Sequence, residues 1–371
     1  MSKLFIKDLT FSELERKVVE LNLERYRAKQ IARWIYKKFS DSFFSMTDLS
    51  KETRKLLSQV FEIDVLKPLK VEKSKDGTRK YLFLLPDGNT IESVFIPERD
   101  WNTLCVSTQV GCPIGCSFCL TARSGFVRNL TTAEIIDQYV QVQRDVSLEK
   151  RISNVVFMGM GEPFLNFENV KKAIEIMTDS NMLDLSTRKI TVSTVGIVPG
   201  ILRMAKEMKK VKLAVSLHAV SDEVRNELVP VNKKYPIKEL LKALRQYPTD
   251  SVRRIMIEYV MLKGVNDSEE DAQKLVKLLK GLKVKVNLIP FNPFPGSPYE
   301  PSPMERILKF QKILWDNNIS AFIRESRGRD ISAACGMLKV REVSCQRLSS
   351  SGTEGPAGTK REDIRERLMS L

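Results

Sequence analysis

From residue 103 almost to residue 324 the chain repeats one pattern: a short apolar run, a polar turn, then an amphipathic stretch. The runs fall at 103–110, 152–158, 189–193, 211–217, 254–262 and 284–289, with a last short one at 319–324. Helical periodicity falls at 131–144, 167–178, 202–209, 221–227, 237–245, 269–281 and 304–315. Strands joined through helices of this length pair in parallel by right-handed crossovers. The pattern predicts an α/β chain whose first six units form an open, partial (β/α)6 barrel. In such folds the chemistry gathers at the C-terminal ends of the strands.

The first strand runs into Gly111-Cys112-Pro113-Ile114-Gly115-Cys116-Ser117-Phe118-Cys119, which holds three of the six cysteines as C-x3-C-x2-C. Three thiolates on one tight loop hold an iron–sulfur cluster by three irons and leave the fourth open. A closed zinc site takes four ligands, usually as two separated pairs, and the neighbouring sequence offers no suitable fourth. Gly111 and Gly115 let the backbone turn closely around a bulky inorganic group. A buried cysteine cluster, or a zinc knuckle completed from afar, are the plainer alternatives on spacing alone. Cys105 lies on the first barrel strand and Cys335 lies among small residues near the end. Both can reach the barrel mouth and pair during turnover, although a buried structural thiol is the simpler reading of Cys335. Cys345 receives no role.

Residues 1–65 read as a helical accessory domain, with Ser12 and Glu15 as a capping box. Over 25–38 an apolar face of Ala28, Ile31, Ala32 and Ile35 alternates with Arg27, Lys29, Arg33, Lys37 and Lys38, and Tyr26, Trp34 and Tyr36 are interleaved. Such a helix grips phosphates and stacks on bases; a solvated face with Trp34 in the core is the alternative. Helical character continues over 45–61. The formal charge of +15 fits a polyanionic partner or merely a lysine-rich surface. Residues 66–100 change to strand periodicity, with a hairpin of 79–85 and 90–96 about Pro86-Asp87-Gly88-Asn89. Its second strand carries Glu92, which by default faces solvent on an edge strand. The core is assigned to 101–345. Residues 346–371 form a tail, with a Gly/Ser/Thr-rich linker at 350–359 and a short charged helix.

No apolar run approaches membrane-spanning length and residues 1–10 lack a signal-peptide pattern, so a cytoplasmic protein is expected. The single histidine, His218, argues against a His-based metal site or a Ser–His–Asp triad.

Polar landmarks recur where the strands end. Gly159-Met160-Gly161-Glu162-Pro163 closes the second barrel strand, Ser193 the third and Ser216-Leu217-His218 the fourth, while Asn292 lies just past the sixth. Gly161 permits close approach to a ligand and Glu162 offers a carboxylate to an amine or a ribose hydroxyl; each is also compatible with an ordinary turn. The cysteine array is similar to the signature of the radical S-adenosylmethionine (SAM) enzymes. Together with Cys105, Phe157-Met158-Gly159-Met160-Gly161-Glu162-Pro163, Ser193-Thr194-Val195-Gly196, Ser216-Leu217-His218, Pro290-Phe291-Asn292-Pro293 and Asp330-Ile331-Ser332-Ala333-Ala334-Cys335-Gly336, it resembles one family. That family is the dual-specificity ribosomal and transfer RNA adenine-C2 methyltransferases, and the likeness runs to about Leu338. A sister family that methylates C8 of the same adenine shares the two cysteines and the cluster. The loop from Asn292 to Tyr299 resembles the C2 enzymes more closely.

The resemblance implies a [4Fe-4S] cluster on Cys112, Cys116 and Cys119, and SAM held by Gly161, Glu162, Ser193, Ser216, Leu217, His218 and Asn292. It implies two SAM molecules per turnover. Cys335 takes a methyl group from the first; the second yields a 5′-deoxyadenosyl radical that abstracts hydrogen from that methyl. The methylene radical adds to adenine C2, a position too poor in electrons for polar methyl transfer. Glu92 then removes the C2 proton, and Cys105 attacks Cys335 to release the product as a disulfide. The implied partners are 23S rRNA, tRNA and a flavodoxin-like or ferredoxin-like electron donor, with a monomeric enzyme and no membrane. Competing readings are C8 methylation, another radical SAM activity, and a non-catalytic RNA-binding protein with a structural metal.

Overall fold

The computed structural model describes residues 3–146, 150–250 and 253–339. Cys345, the linker at 350–359 and the helix expected at the end lie outside the described residues.

The N-terminal unit holds β1 (Leu4–Phe5), α1 (Phe11–Glu20), α2 (Arg27–Tyr36), α3 (Lys51–Val60) and β2 (Phe61–Glu62), with β1 and β2 paired in parallel. The cap of α1 is Thr10, two residues ahead of the expected Ser12. Glu13 N–H donates to Thr10 Oγ1 at 3.3 Å and Glu13 Oε2 accepts Thr10 N–H at 2.8 Å. Both Thr10 and Ser12 suit a cap; the reciprocal Glu13 decides between them.

A buried charge cluster clamps this unit to the core. Lys7, wholly buried, donates to Asp64 at 2.7 Å and to Asp137 on α5 (Thr132–Val146). Asp137 also accepts the N–H groups of Val65 and Leu66, each at 2.8 Å. Buried charges are retained when they are paired and hydrogen-bonded, as these are.

Next come β3 (Lys67–Lys73), β4 (Arg79–Leu84) and β5 (Thr90–Pro97), an antiparallel meander. β6 (Asn102–Cys105) pairs antiparallel with β5 and parallel with β9 (Asn154–Phe157). The meander therefore continues the barrel sheet, and β5 is an interior strand. The default placement of Glu92 on a solvent-facing edge is wrong: its residue is 1 % exposed. The run at 103–110 is also two strands. After β6 the chain leaves the sheet, and β7 (Gln109–Gly111) pairs antiparallel with β8 (Phe126–Asn129), enclosing the cysteine loop and the short helix α4 (Leu120–Arg123).

Parallel strands β10 (Ile190–Thr194), β11 (Lys212–Ser216), β12 (Ile255–Met261), β13 (Val284–Pro290) and β14 (Ala321–Ile323) extend the sheet beyond β9. The helices between them are α6 (Phe167–Thr178), α7 (Val198–Glu207), α8 (Asp222–Leu228), α9 (Ile237–Gln246), α10 (Glu269–Leu279) and α11 (Met304–Asp316). Among the described residues the sheet is ten strands wide, in unbroken chain order from β3 to β14 apart from the β7–β8 pair. Its two outer strands do not meet. This is the partial (β/α)6 barrel, left open, with one extra parallel strand.

Candidate active site

Side chains alternate across a strand, and register partners share a face. Register therefore shows which residues line the barrel interior together. Leu82 pairs with Glu92 and Lys80 with Val94; Val94 pairs with Cys105. Ser193 pairs with Ala214, Ser216 with Glu258 and Glu258 with Asn287. Lys80, Glu92, Cys105, Ser216, Glu258 and Asn287 thus form one polar band across the sheet, and Ser193 belongs to it through Ala214.

The cysteine loop sits above this band. Gly111 and Gly115 have φ of +75° and +78°, and a Cβ on Gly111 would lie 1.9 Å from Gly125 O. Cys112 N–H donates to that carbonyl at 2.8 Å, and Ser117 N–H to Leu228 O at 3.1 Å. Burial pushes the Cys112 thiol up to about 12 and the Cys116 thiol well above its ordinary range, each pushed further by neighbouring cysteines and by Glu162.

Gly161 has φ +103°, and a Cβ there would strike the Gln109 side chain at 2.6 Å. Gln109 Oε1 accepts the Glu162 N–H at 2.8 Å. Glu162 is buried, and its carboxylate accepts Phe164 N–H at 3.0 Å and Val195 N–H at 2.8 Å. Burial lifts its pKa to about 7 in spite of those donors. The turn is built around this carboxylate.

His218 has φ +61° and a buried ring. Its Nδ1 accepts Val260 N–H at 3.0 Å, its carbonyl accepts Asn266 Nδ2 at 2.7 Å, and the ring meets Phe118 edge-on at 4.7 Å. Leu217 is buried with its carbonyl accepting from Arg225 Nε at 3.0 Å, while Ser216 is half-buried. Ser193 Oγ donates to Phe157 O at 2.6 Å.

Cys335 is exposed in the mouth and Cys105 is buried below it; both are free thiols. Asn292 Nδ2 donates to Cys335 O at 3.4 Å and its Oδ1 accepts Arg329 Nε at 3.2 Å. Desolvation of the sulfur raises the Cys335 thiol, the Arg324 guanidinium pulls it down, and Glu258 and Cys119 push it up. Burial and the nearby Cys335 raise the Cys105 thiol. The segment is docked beside the cysteine loop: Leu120 N–H donates to Gly336 O at 2.7 Å, and Thr121 Oγ1 to Leu338 O at 2.6 Å. Glu92 Oε2 accepts Lys339 N–H at 3.1 Å.

Sequence reasoning missed Glu258, Asn287, Arg225 and Lys80. Glu258 was detectable as a lone acid inside an apolar strand, the same signal as Glu92. It accepts Asn287 Nδ2 at 2.8 Å, and burial raises its pKa. Arg225, wholly buried, joins strand ends by donating to Val195 O at 2.6 Å and to Ser216 O at 3.1 Å. Nothing in the polar run from Asp222 to Glu227 marks it.

A model of the radical SAM superfamily matches residues 106–276, and one described as the ribosomal RNA large subunit methyltransferase N-terminal domain matches residues 5–63. The chain is 52% identical over 348 residues to the probable dual-specificity RNA methyltransferase RlmN of Aquifex aeolicus, covering 93% of this chain and 99% of that one. It is 50% identical to the dual-specificity RNA methyltransferase RlmN of Geobacter sulfurreducens, covering 90% and 91%. The chain belongs to the RlmN family. The crystal structure of a radical SAM methyltransferase from Sphaerobacter thermophilus superimposes with a TM-score of 0.87 at 44% identity, covering 90% of this chain and 99% of that one. As an RlmN-family member the chain is a radical SAM RNA methyltransferase, which implies SAM and a [4Fe-4S] cluster.

The donor set fits that cluster. Three thiols come from one glycine-turned loop, and burial disfavours the thiolates of Cys112 and Cys116 until a cationic centre is bound. Among the described residues no three His, Cys, Asp or Glu side chains are gathered to hold a single metal ion. The fit rests on the donor chemistry.

In the RlmN-family N-terminal domain, Tyr26 is exposed with the Arg27 guanidinium 4.7 Å from its ring. Trp34 is half-buried beneath the Lys38 ammonium, 3.3 Å from the ring centroid. Tyr36 is buried, so it is unavailable for stacking. Among the described residues no helix is long and apolar enough to cross a membrane.

Proposed function

We propose that the enzyme methylates C2 of adenine in 23S rRNA and in tRNA, with Cys335 carrying the methyl group, Glu92 as the base and Cys105 as the resolving thiol. The observation that carries this reading is the convergence of a free, solvent-open thiol, a second free thiol beneath it and a buried carboxylate on one face of the barrel. Cys112, Cys116 and Cys119 hold the cluster, and Gly161, Glu162, Ser193, Ser216, Leu217, His218 and Asn292 shape the place for SAM. When bound, cluster and SAM supply the hydrogen abstraction that an electron-poor C2 position requires.

The chain's own residues do the rest. The Cys335 thiolate would attack the methyl group of one SAM, its new S–C bond forming as the sulfonium S–C bond breaks and S-adenosylhomocysteine leaves, to give S-methylcysteine; a second SAM would be held at the cluster, making two per turnover. Arg324 favours that thiolate. Once the carbon is joined to C2, the adduct gives up one electron, matching the one that reductive use of the second SAM consumes, and Glu92 accepts the C2 proton. Cys105 Sγ, as the thiolate, attacks Cys335 Sγ; the S–C bond breaks with its electron pair on carbon, that carbon takes a proton to become the methyl group, and a disulfide remains. An external donor, flavodoxin-like or ferredoxin-like, returns the electrons. Transient disulfides of this kind suit a reducing cytoplasm, where the enzyme acts as a monomer. The exposed Tyr26–Arg27 pair and the basic charge of the chain suit RNA.

The test compares Cys335→Ala with the parent, both anaerobic with SAM, reductant and unmodified RNA. Product nucleosides are read by mass spectrometry. The reading requires 2-methyladenosine from the parent alone. Product from the variant overturns the carrier role, and 8-methyladenosine overturns the position.

A further inference from the structure

Lys80 belongs to the interior band yet has no part in the reaction just described. Its side chain is 2 % exposed. The ammonium stands 3.0 Å from Glu72 Oε2 and 3.9 Å from Glu92 Oε1. It also donates to the carbonyl of Ile331 and, at 3.4 Å, to that of Ser332. Those carbonyls lie just ahead of Cys335. On the far side of Cys335, Glu92 accepts the Lys339 N–H at 3.1 Å. Two neighbouring interior side chains therefore bracket the thiol, one holding the chain before it and the other after it.

The bracketed stretch has little regular structure of its own. A single 3-10 turn, Arg329–Ile331, lies between Gly328 (φ +61°) and Ser332 (φ +54°). A serine in the left-handed region persists only where its surroundings hold it, and the Lys80 ammonium on its carbonyl is one such contact. Ser74 Oγ on Asp330 at 2.6 Å and Gly328 N–H on Asp76 at 2.9 Å fasten the start of the stretch to the turn just before Lys80.

We propose that Lys80 is a positioning residue that ties the base to the carrier thiol. One buried ammonium fixes the backbone ahead of Cys335 and orients the Glu92 carboxylate, so that the adenine held on Cys335 presents its C2 proton to Glu92. The proposal rests on the roles given above to Cys335 and Glu92. It places the effect at one step. Methyl loading of Cys335 needs the thiol and SAM, and does not involve Glu92. Breakdown of the joined protein–RNA species needs thiol and base in register, and a displacement of about 1 Å costs about 100-fold.

The experiment uses full-length anaerobic holoenzyme with SAM, reductant and RNA in single turnover, comparing the parent with Lys80→Met and Lys80→Arg. Methylation of Cys335 is read by peptide mass, the covalent protein–RNA species on denaturing gels, and kcat and KM in steady state. Lys80→Met is expected to load methyl at close to the parent rate and to accumulate the covalent species, which decays about 100-fold more slowly. It lowers kcat and leaves KM unchanged, and Lys80→Arg recovers most of the loss. If Lys80→Met does not fold, Lys80→Gln, which keeps a donor for Ile331 and Ser332, takes its place and is read the same way. Decay at the parent rate overturns the proposal. So does an equal fall in methyl loading and decay together with a lower melting temperature, since that marks a purely structural lysine. A parent whose Cys335 is never methylated overturns the reading of the site itself, which separates the two failures.

Discussion

Two cysteine-bearing segments pack against each other at the barrel mouth, and they are held in opposite ways. The cluster loop is fixed by backbone close at hand: the β7–β8 pair encloses it, Cys112 N–H meets Gly125 O, and Cys119 N–H meets Cys116 O at 3.2 Å. The Cys335 segment is held by contacts from remote parts of the chain, among them Asp76, Lys80, Glu92, Thr121 and Asn292. These are single side chains, joined by one backbone bond from Leu120 N–H to Gly336 O. A segment stitched this way opens at a lower free energy than one enclosed by its own strands. The division suits the proposed chemistry, in which a cluster has to stay still whereas the Cys335 thiol has to meet SAM, adenine and Cys105 in turn.

The largest effect expected from breaking this contrast lies in the rigid loop. Gly111→Ala puts a methyl group 1.9 Å from Gly125 O on a backbone of φ +75°, so the loop cannot close. Reconstituted protein should lose nearly all of its iron and its visible absorption. Gly115 has nearly the same φ, +78°, with nothing within 4 Å of its Cβ direction. Gly115→Ala should cost only the left-handed strain, about 1–2 kcal/mol, and keep its iron. Equal iron content in the two variants would show that close approach is not what shapes the loop.

The same contrast explains what was legible in the sequence. The barrel strands are visible as apolar runs, and the cysteine loop as three thiols between glycines, because each depends on neighbours in sequence. Glu92 was misplaced because an acid in a β-branched run reads alike on an edge or in the interior. The pairing of β5 with β6 decides the matter, and no local signal carries it. Lys80 fails for the same reason: Arg79-Lys80-Tyr81 reads as an exposed hairpin strand until Glu92 is seen beside it. The cap of α1 was displaced by two residues because Thr10 and Ser12 are equally good donors and acceptors locally. What is held by distant side chains is what the sequence hides.

A smaller effect tests the rigid side from within the barrel. His218 is the chain's only histidine, and burial, with the Arg225 charge nearby, lowers its pKa from 6.5 to about 3. A histidine depressed on folding stabilises the fold above its unfolded pKa and loses that contribution as the pH falls through 6.5 towards 3. Between pH 7.5 and 5.5 the loss should be about 1.4 kcal/mol. His218→Asn, which tolerates the left-handed backbone, removes this pH-dependent contribution. The difference in urea midpoint between parent and variant should therefore shrink over that pH range. A constant difference would mean that the ring does not stay neutral on Val260 N–H.

The smallest effect concerns the stitching between the two segments. Thr121 belongs to α4, next to the cluster loop, and its buried hydroxyl donates to Leu338 O at 2.6 Å, one residue short of the Lys339 N–H held by Glu92. Thr121→Val keeps the shape and deletes the donor. One buried hydrogen bond contributes about 1 kcal/mol, so the population with the Cys335 segment released should rise about fivefold. Hydrogen exchange at the Lys339 N–H, which Glu92 holds, should accelerate by the same factor, while iron content stays at the parent value. If iron falls instead, the two segments are one cooperative unit and the separation between a fixed loop and a releasable one fails. If neither changes, the contacts of Lys80, Glu92 and Asn292 suffice to hold the thiol, and the stitching is redundant at its C-terminal end.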